Sequence, residues 1–225
     1  WPEHMPGPEV DSLAKSMGSY GAAGQMQQRP APEEGGLFKR PWFRPWADEE
    51  ASYNLAGTRV MKEDCWQFMT CDLAISTKET ADYTVFSRWA VTPSGDLLWL
   101  DCIRGRFEAP EQKRILRAEW ARGGIKFVGI ESAQHGSAMI QELWQEGLMT
   151  RALKPEKDKL SRSVQAQVMA ESGRIWVPAE APWLADAMSE LANFPVGKND
   201  DVTDCVSYAA LEASNRGVFV GGAEI

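Results

Sequence analysis

An apolar stretch that ends on an acid decides the fold: Trp66-Gln67-Phe68-Met69-Thr70-Cys71-Asp72. Its length and composition predict a β-strand. A second strand is predicted over residues 83–91, where the side chains alternate in character. A turn at Thr92-Pro93-Ser94-Gly95-Asp96 then leads to a third strand over residues 97–106. These three segments predict an antiparallel hairpin beside the first strand.

The rest of the chain alternates between helix and strand patterns. Helices are predicted over residues 110–122, 136–146, 157–171, 182–193 and 201–213, and strands over residues 126–130, 149–153 and 174–177; residues 217–225 are expected to form a fraying tail. A right-handed crossover through the first helix would place strand 126–130 parallel to strand 66–72. The sequence therefore predicts an α/β fold with a mixed sheet, an antiparallel hairpin and flanking helices.

Acidic residues stand at the ends of three of these elements: Asp72, Glu131, and the group Asp200, Asp201 and Asp204. Carboxylates at the ends of apolar strands are costly to bury unless something pairs with them. Oxygen ligands from separate elements suit a hard divalent cation. If the two strands are parallel neighbours, the first two acids share a carboxyl edge, where open α/β sheets place their sites. The pattern predicts a metal site of the kind that hydrolyses phosphodiesters with two cations.

Each of these residues also has an ordinary explanation. Loop amides could satisfy Asp72, and Glu131 could be a helix N-terminal acid that the helix dipole stabilises. Asp201 could cap the last helix, with Asp204 completing a capping pair. Asp82 is a turn residue or a neighbour of the metals, and His135 is a helix N-terminal residue or a group that orients water or contacts phosphate.

The composition limits the classes of function. The chain has 225 residues, 44% of them hydrophobic, and four cysteines without a Cys-x-x-Cys pair, which favours a globular protein with reduced thiols. A formal net charge of −8 argues against coating nucleic acid by bulk charge but allows an enzyme with one basic face. Lys154, Lys157, Lys159 and Arg162 form either such a phosphate-contacting strip or a solvated helix face. No apolar run has the length of a membrane span, and no phosphate-binding loop motif predicts ATP hydrolysis.

The N-terminal part differs in composition from the rest. Residues 1–56 are expected to be a linker arm, because Pro, Gly and Gln interrupt any apolar period, and residues 57–225 are expected to be the globular domain. A short helix is predicted over residues 10–17. Trp42, Phe43 and Trp46 are expected to attach the arm to the domain.

Three motifs follow one another along the chain: Asp72-Leu73-Ala74 through Ala81-Asp82-Tyr83-Thr84, then Gly129-Ile130-Glu131-Ser132-Ala133-Gln134-His135-Gly136, then Lys198-Asn199-Asp200-Asp201-Val202-Thr203-Asp204-Cys205. In this order they resemble the C-terminal nuclease domain of the terminase large subunit of tailed phages or prophages, and residues 25–38 resemble the family's linker. In the third motif, Asn199 replaces the usual His and Cys205 the usual Ala.

The resemblance implies an RNase H-like fold and a metal-dependent endonuclease that cuts double-stranded concatemeric DNA during packaging with two Mg²⁺ or Mn²⁺ ions. It would make Asp72, Glu131 and Asp201 the catalytic metal ligands, with Asp200 and Asp204 as supporting or alternative ligands. The implied partners are the ATPase domain of the same full-length chain, the small terminase subunit and the portal, in the host cytoplasm and outside the mature virion.

Two alternatives to this interpretation stay open. One is a junction resolvase or exonuclease on the same fold, which a preference for four-way junctions would favour. The other is a non-catalytic DNA-binding docking module, which DNA binding without metal-dependent cutting would favour.

Overall fold

The computed structural model describes residues 36–75, 82–132, 134–155 and 159–220. The strands are β1 (Arg44–Glu49), β2 (Ser52–Leu55), β3 (Thr58–Met61), β4 (Trp66–Asp72), β5 (Thr84–Val91), β6 (Leu97–Gly105), β7 (Ile125–Glu131), β8 (Thr150–Leu153) and β9 (Ile175–Pro178). The helices are α1 (Ala109–Ala121), α2 (Gln134–Gln145), α3 (Lys159–Glu171), α4 (Leu184–Asn193) and α5 (Asp201–Val220). The strands form one nine-stranded sheet in the order β3-β2-β1-β9-β6-β5-β4-β7-β8.

The strands at the centre of the sheet pair as the sequence predicted. Strand β4 pairs antiparallel with β5, which forms the hairpin with β6, and parallel with β7 on its other side. Cys71 of β4 lies beside Ile130 of β7. The next residue on each strand is an acid, so Asp72 and Glu131 emerge at the same edge. The predicted mixed α/β sheet with its antiparallel hairpin is confirmed.

Helices cover both faces of the sheet, because the central strands are apolar on both sides. Phe68 of β4 belongs to the core that α3, α4 and α5 cover, which also contains the stacked rings of Trp89 and Trp99, 4.9 Å apart. Met69 and Cys71, which point the other way, pack against α1 and α2. Because side chains alternate between the two faces of a strand, α3, α4 and α5 share one side of the sheet, and α1 and α2 share the other.

The first part of the sheet corrects the expected boundary at residue 56. Strands β1 and β2 lie before that residue, and β1 pairs parallel with β9. Trp46 is buried, and its Nε1 donates a hydrogen bond of 3.2 Å to the Trp99 carbonyl oxygen, so the expected attachment is part of the core. Both strands are short and β1 contains Pro45, so the sequence shows only a weak strand pattern here. Residues 1–35, including the predicted helix at 10–17, lie outside the described residues.

The last helix is longer than expected. Helix α5 continues to Val220, so the tail predicted from residue 217 is helical as far as that residue, and residues 221–225 lie outside the described part. The other predicted helices and strands are found within a few residues of their expected bounds. Within the described ranges, no helix combines the length and the apolar character that crossing a membrane requires.

Candidate metal centre

Three carboxylates from three elements meet at the edge where β4 and β7 end. They belong to Asp72 at the end of β4, Glu131 at the end of β7, and Asp204 in the first turn of α5. One oxygen from each lies within 4.8 Å of the oxygens of the other two. Asp204 is only 2% exposed, and the other two are partly buried. The parallel pairing of β4 with β7 explains the first two positions, and the packing of α5 explains the third.

A pair of hydrogen bonds holds α5 against β4 beside these acids. The Thr70 hydroxyl donates to the Cys205 carbonyl oxygen at 3.0 Å, and the Cys205 thiol donates back to the Thr70 carbonyl oxygen at 3.6 Å. Trp89 Nε1 donates to the same Thr70 hydroxyl at 2.8 Å. Because Thr70 is close to Asp72 in sequence and Cys205 follows Asp204, this contact sets the distance between the two carboxylates. No pattern in the sequence indicates this role of Thr70.

The environment of Asp72 and Glu131 disfavours their charged forms. Burial raises the pKa of Asp72 to about 8, and the nearby carboxylates of Asp204, Glu131 and Asp201 add to the effect. Burial also raises the pKa of Glu131, again with Asp204 contributing. A bound cation would relieve both the repulsion and the cost of burial. The three oxygen donors, their spacing and the raised pKa values of Asp72 and Glu131 therefore fit a hard divalent cation.

Two cationic side chains of α3 already contact the third acid. Arg162 Nη2 lies 2.7 Å from one oxygen of Asp204, and Lys159 Nζ lies 2.9 Å from the other. Lys159 Nζ also lies 2.8 Å from Asp200. Burial lowers the pKa of Lys159, but its hydrogen bonds to Asp200 and Asp204 outweigh this, so the pKa is raised overall. Helix α3 thus offsets part of the negative charge at the centre.

The remaining two acids of the third motif lie beside the group of three. Asp201 is 4% exposed, and its Oδ2 accepts a hydrogen bond of 3.3 Å from the Tyr83 backbone N–H. Burial raises the pKa of Asp201, while that hydrogen bond lowers it. Asp200 is held by Lys159. The structure therefore brings Asp72, Glu131 and Asp204 together and places Asp201 outside this group.

The other predicted site residues are placed as follows. Arg162, which was predicted to contact phosphate, is 5% exposed and faces Asp204, because the side of α3 that carries it packs against α5. Lys154 is exposed just after β8, and Asp82 is exposed two residues before β5. Lys157 and the side chain of His135 lie outside the described residues.

Glu190 is a residue that the sequence did not reveal. It lies on α4, and its Oε1 accepts hydrogen bonds from the N–H groups of Val202 (2.6 Å) and Thr203 (3.2 Å) at the start of α5. Its Oε2 lies 2.8 Å from Arg104. The guanidinium of Arg104 lies 4.1 Å from the centroid of the Tyr83 ring. Glu190 therefore provides the cap that was considered for Asp201, and it fixes the helix turn that carries the acids.

One known family of protein domains matches more than half of this chain. The model of the terminase RNase H-like domain family matches residues 69–213. No curated protein sequence gives a significant match.

Several solved structures of phage large terminases share the fold. The magnesium-bound large terminase nuclease of phage G20c is 17% identical, with a TM-score of 0.58 over 80% of this chain and 99% of that one. The large terminase nuclease domain of Thermus phage P74-26 is 18% identical, with a TM-score of 0.52 over 74% of this chain and 88% of that one. A longer large terminase, from another thermophilic bacteriophage, is 12% identical, with a TM-score of 0.59 over 92% of this chain but only 53% of that one. At these identities, the likeness establishes the fold.

Proposed function

Since the chain belongs to the family of terminase RNase H-like domains, we propose that it is an endonuclease that cuts double-stranded concatemeric DNA during genome packaging. The observation that carries this proposal is the meeting of Asp72, Glu131 and Asp204 within 4.8 Å of one another. Three partly or fully buried acids, gathered from β4, β7 and α5, have no structural need to converge and are costly to bury together.

These three carboxylates would hold one divalent cation, Mg²⁺ or Mn²⁺, and Asp200 and Asp201, which are neighbours of Asp204 in the same motif, would contribute to a second. The G20c nuclease, which shares the fold, has been crystallised with magnesium, zinc and cobalt. A bound cation of this kind supplies a nucleophilic water at neutral pH and stabilises charge on the phosphoryl oxygens.

Three of the protein's own side chains would also take part in this chemistry. Arg162 holds one oxygen of Asp204 in place, so that carboxylate cannot turn away from the centre. Because burial raises the pKa of Asp72 to about 8, its carboxyl would give up a proton when it holds a cation near neutral pH. Lys154 is exposed near the same edge and would contact the DNA backbone, which carries no base specificity.

Cleavage of a supercoiled plasmid tests the proposal and ranks the acids. We expect Mg²⁺- or Mn²⁺-dependent nicking that EDTA stops. Asp72→Asn and Asp204→Asn should each lower the rate by about 1,000-fold or more, because each removes a ligand of the central cation. Asp201→Asn should have a smaller effect, because Asp201 lies outside the central group.

The matched control is Asp64→Asn, which makes the same chemical change at an exposed residue just before β4. Folded protein that binds DNA but does not cut it with any cation would instead support a docking module. A strong preference for four-way junctions over linear duplex would support a resolvase.

The setting of this activity is part of the same proposal. The chain spans about half the length of the longer large terminase that shares its fold. We infer that the nuclease works with an ATPase domain of the same full-length chain, with the small terminase subunit and the portal as partners, in the host cytoplasm.

A further inference from the structure

The two cations that contact Asp204 differ in their freedom to move. The side chain of Arg162 is 5% exposed, whereas that of Lys159 is 47% exposed. Arginine is charged at every accessible pH and presents a rigid, planar group, while lysine carries a compact charge on a flexible stem. Arg162 is therefore a fixed partner of Asp204, and Lys159 is a partner that can leave.

Each cation occupies its own oxygen of the Asp204 carboxylate. Arg162 contacts Oδ1, and Lys159 contacts Oδ2. A metal ion bound to this carboxylate would face the ammonium group at close range, and two like charges on one carboxylate repel each other strongly in a partly buried site. Lys159 and a metal ion therefore compete for Asp204.

A DNA phosphate is a suitable second partner for Lys159. The ammonium group lies between Asp204 inside the protein and Asp200, whose side chain is 39% exposed, so it sits where the acidic centre opens to solvent. The duplex backbone presents one negative charge per about 1.7 Å of helix axis. A phosphate at this opening would draw the ammonium outward and release Oδ2 of Asp204.

We propose that Lys159 couples DNA binding to metal binding: without DNA it neutralises Asp204 and weakens the metal site, and with DNA it moves to the backbone and completes the site. This inference rests on the proposed nuclease function and adds its regulation. It implies that the centre binds its cation tightly only when the substrate is present. The coupling is reciprocal, so the cation strengthens DNA binding by the same factor.

Calorimetric titration of Ca²⁺, with and without a short DNA duplex, measures this coupling. We expect the duplex to tighten Ca²⁺ binding to the wild-type protein by about tenfold. Lys159→Met should bind Ca²⁺ about tenfold more tightly than the wild type without DNA, and the duplex should then add little. The duplex is checked by gel after each titration to show that it remains intact.

The matched control is Lys126→Met. Lys126 is exposed at the opposite end of β7, about 16 Å along the strand from Glu131. Lys126→Met removes the same charge as Lys159→Met and should keep the wild-type coupling. This control separates a local effect of Lys159 from a general change in net charge. Lys159→Gln replaces the methionine variant if the latter does not fold.

The outcomes separate the two proposals. If Lys159→Met binds Ca²⁺ no more tightly than Lys126→Met, or if the duplex still tightens binding tenfold in Lys159→Met, the coupling role of Lys159 is wrong while the metal site stands. If the wild type binds no Ca²⁺ with or without DNA, or if Asp204→Asn leaves binding unchanged, the proposed metal centre itself is wrong and the coupling falls with it.

Discussion

Replacing Asp72 by asparagine should stabilise the protein in the absence of metal. In the folded protein, burial and three neighbouring carboxylates raise the pKa of Asp72 from 3.8 to about 8. In the unfolded chain the same group ionises near its ordinary value. The folded state therefore binds a proton that the unfolded state has lost, and its stability falls as the pH rises from about 4 to about 8. Asparagine has nearly the same shape but carries no charge, so the variant escapes this loss.

The size of the effect follows from the same values. Roughly three pH units separate the ordinary pKa from pH 7, and each corresponds to about 1.4 kcal/mol, so the upper limit is about 4 kcal/mol. The neighbouring carboxylates share the repulsion and water reaches part of the site, so we expect about half of this, near 2 kcal/mol. For a domain of this size, that raises the melting temperature by about 4–8 °C. At pH 5 the gain should fall below about 1 kcal/mol, because little more than one unit remains.

Thermal unfolding in EDTA at pH 5, 7 and 8 measures this gain. The control is Asp64→Asn, which should shift the melting temperature by no more than about 2 °C at any of these pH values, as exposed substitutions usually do. Added Mg²⁺ should stabilise the wild type more than Asp72→Asn, since the variant lacks a ligand. The reasoning is refuted if Asp72→Asn melts at or below the wild-type temperature at pH 7 in EDTA, or if its gain does not grow with pH.

Three further substitutions test how the acids are positioned. Glu190→Ala should cost about 1–3 kcal/mol in urea unfolding and weaken Ca²⁺ binding, because it leaves two helix N–H groups and a cation without their acceptor. Glu190→Gln keeps an acceptor and should recover most of the stability and of the Ca²⁺ affinity. Equal losses in the two variants would contradict the capping role. Thr70→Val should cost about 1–2 kcal/mol in the same assay, since Trp89 Nε1 loses its acceptor and the Cys205 carbonyl oxygen loses its donor. A cost below about 0.5 kcal/mol would show that the Thr70 hydroxyl does not hold α5 against β4. Gly136→Ala would place a Cβ against the Glu131 carbonyl oxygen, closer than the two atoms can approach, so the end of β7 must shift and Ca²⁺ affinity should fall. Unchanged affinity would mean that this edge of the sheet tolerates the movement.

The central sheet could be predicted because its elements carry local signals. Strand β4 is a continuous apolar run, the turn between β5 and β6 contains Pro93 and Gly95, and the handedness of crossovers fixed the pairing of β4 with β7. The meeting of Asp72 and Glu131 followed from that pairing alone. These parts of the site were predictable because they depend on backbone topology, not on side-chain packing.

The choice between the acids of the third motif was not predictable in the same way. Both Asp201 and Asp204 lie in the first turn of α5, and a helical period places them on similar faces. Which of them reaches the centre depends on Tyr83, which binds Asp201, and on Glu190, which caps the helix from α4. Both contacts join residues that belong to different elements, so no local pattern encodes them. Strands β1 and β2 were missed for a similar reason, since β1 is held by pairing with β9 more than a hundred residues later.

Basic residues offset part of the charge of the acidic centre. The sequence predicted that Lys159 and Arg162 belong either to a phosphate-contacting strip or to a solvated helix face. Instead, Arg162 and Lys159 face Asp204, and Arg104 faces Glu190, so three cations are used to hold the acidic centre and its helix in place. A periodic pattern shows that one side of α3 is polar, but not that this side packs against an acidic helix. Of these three cations, Lys159 is the most exposed, which is why the proposed coupling assigns the backbone phosphate to this lysine and not to Arg104 or Arg162.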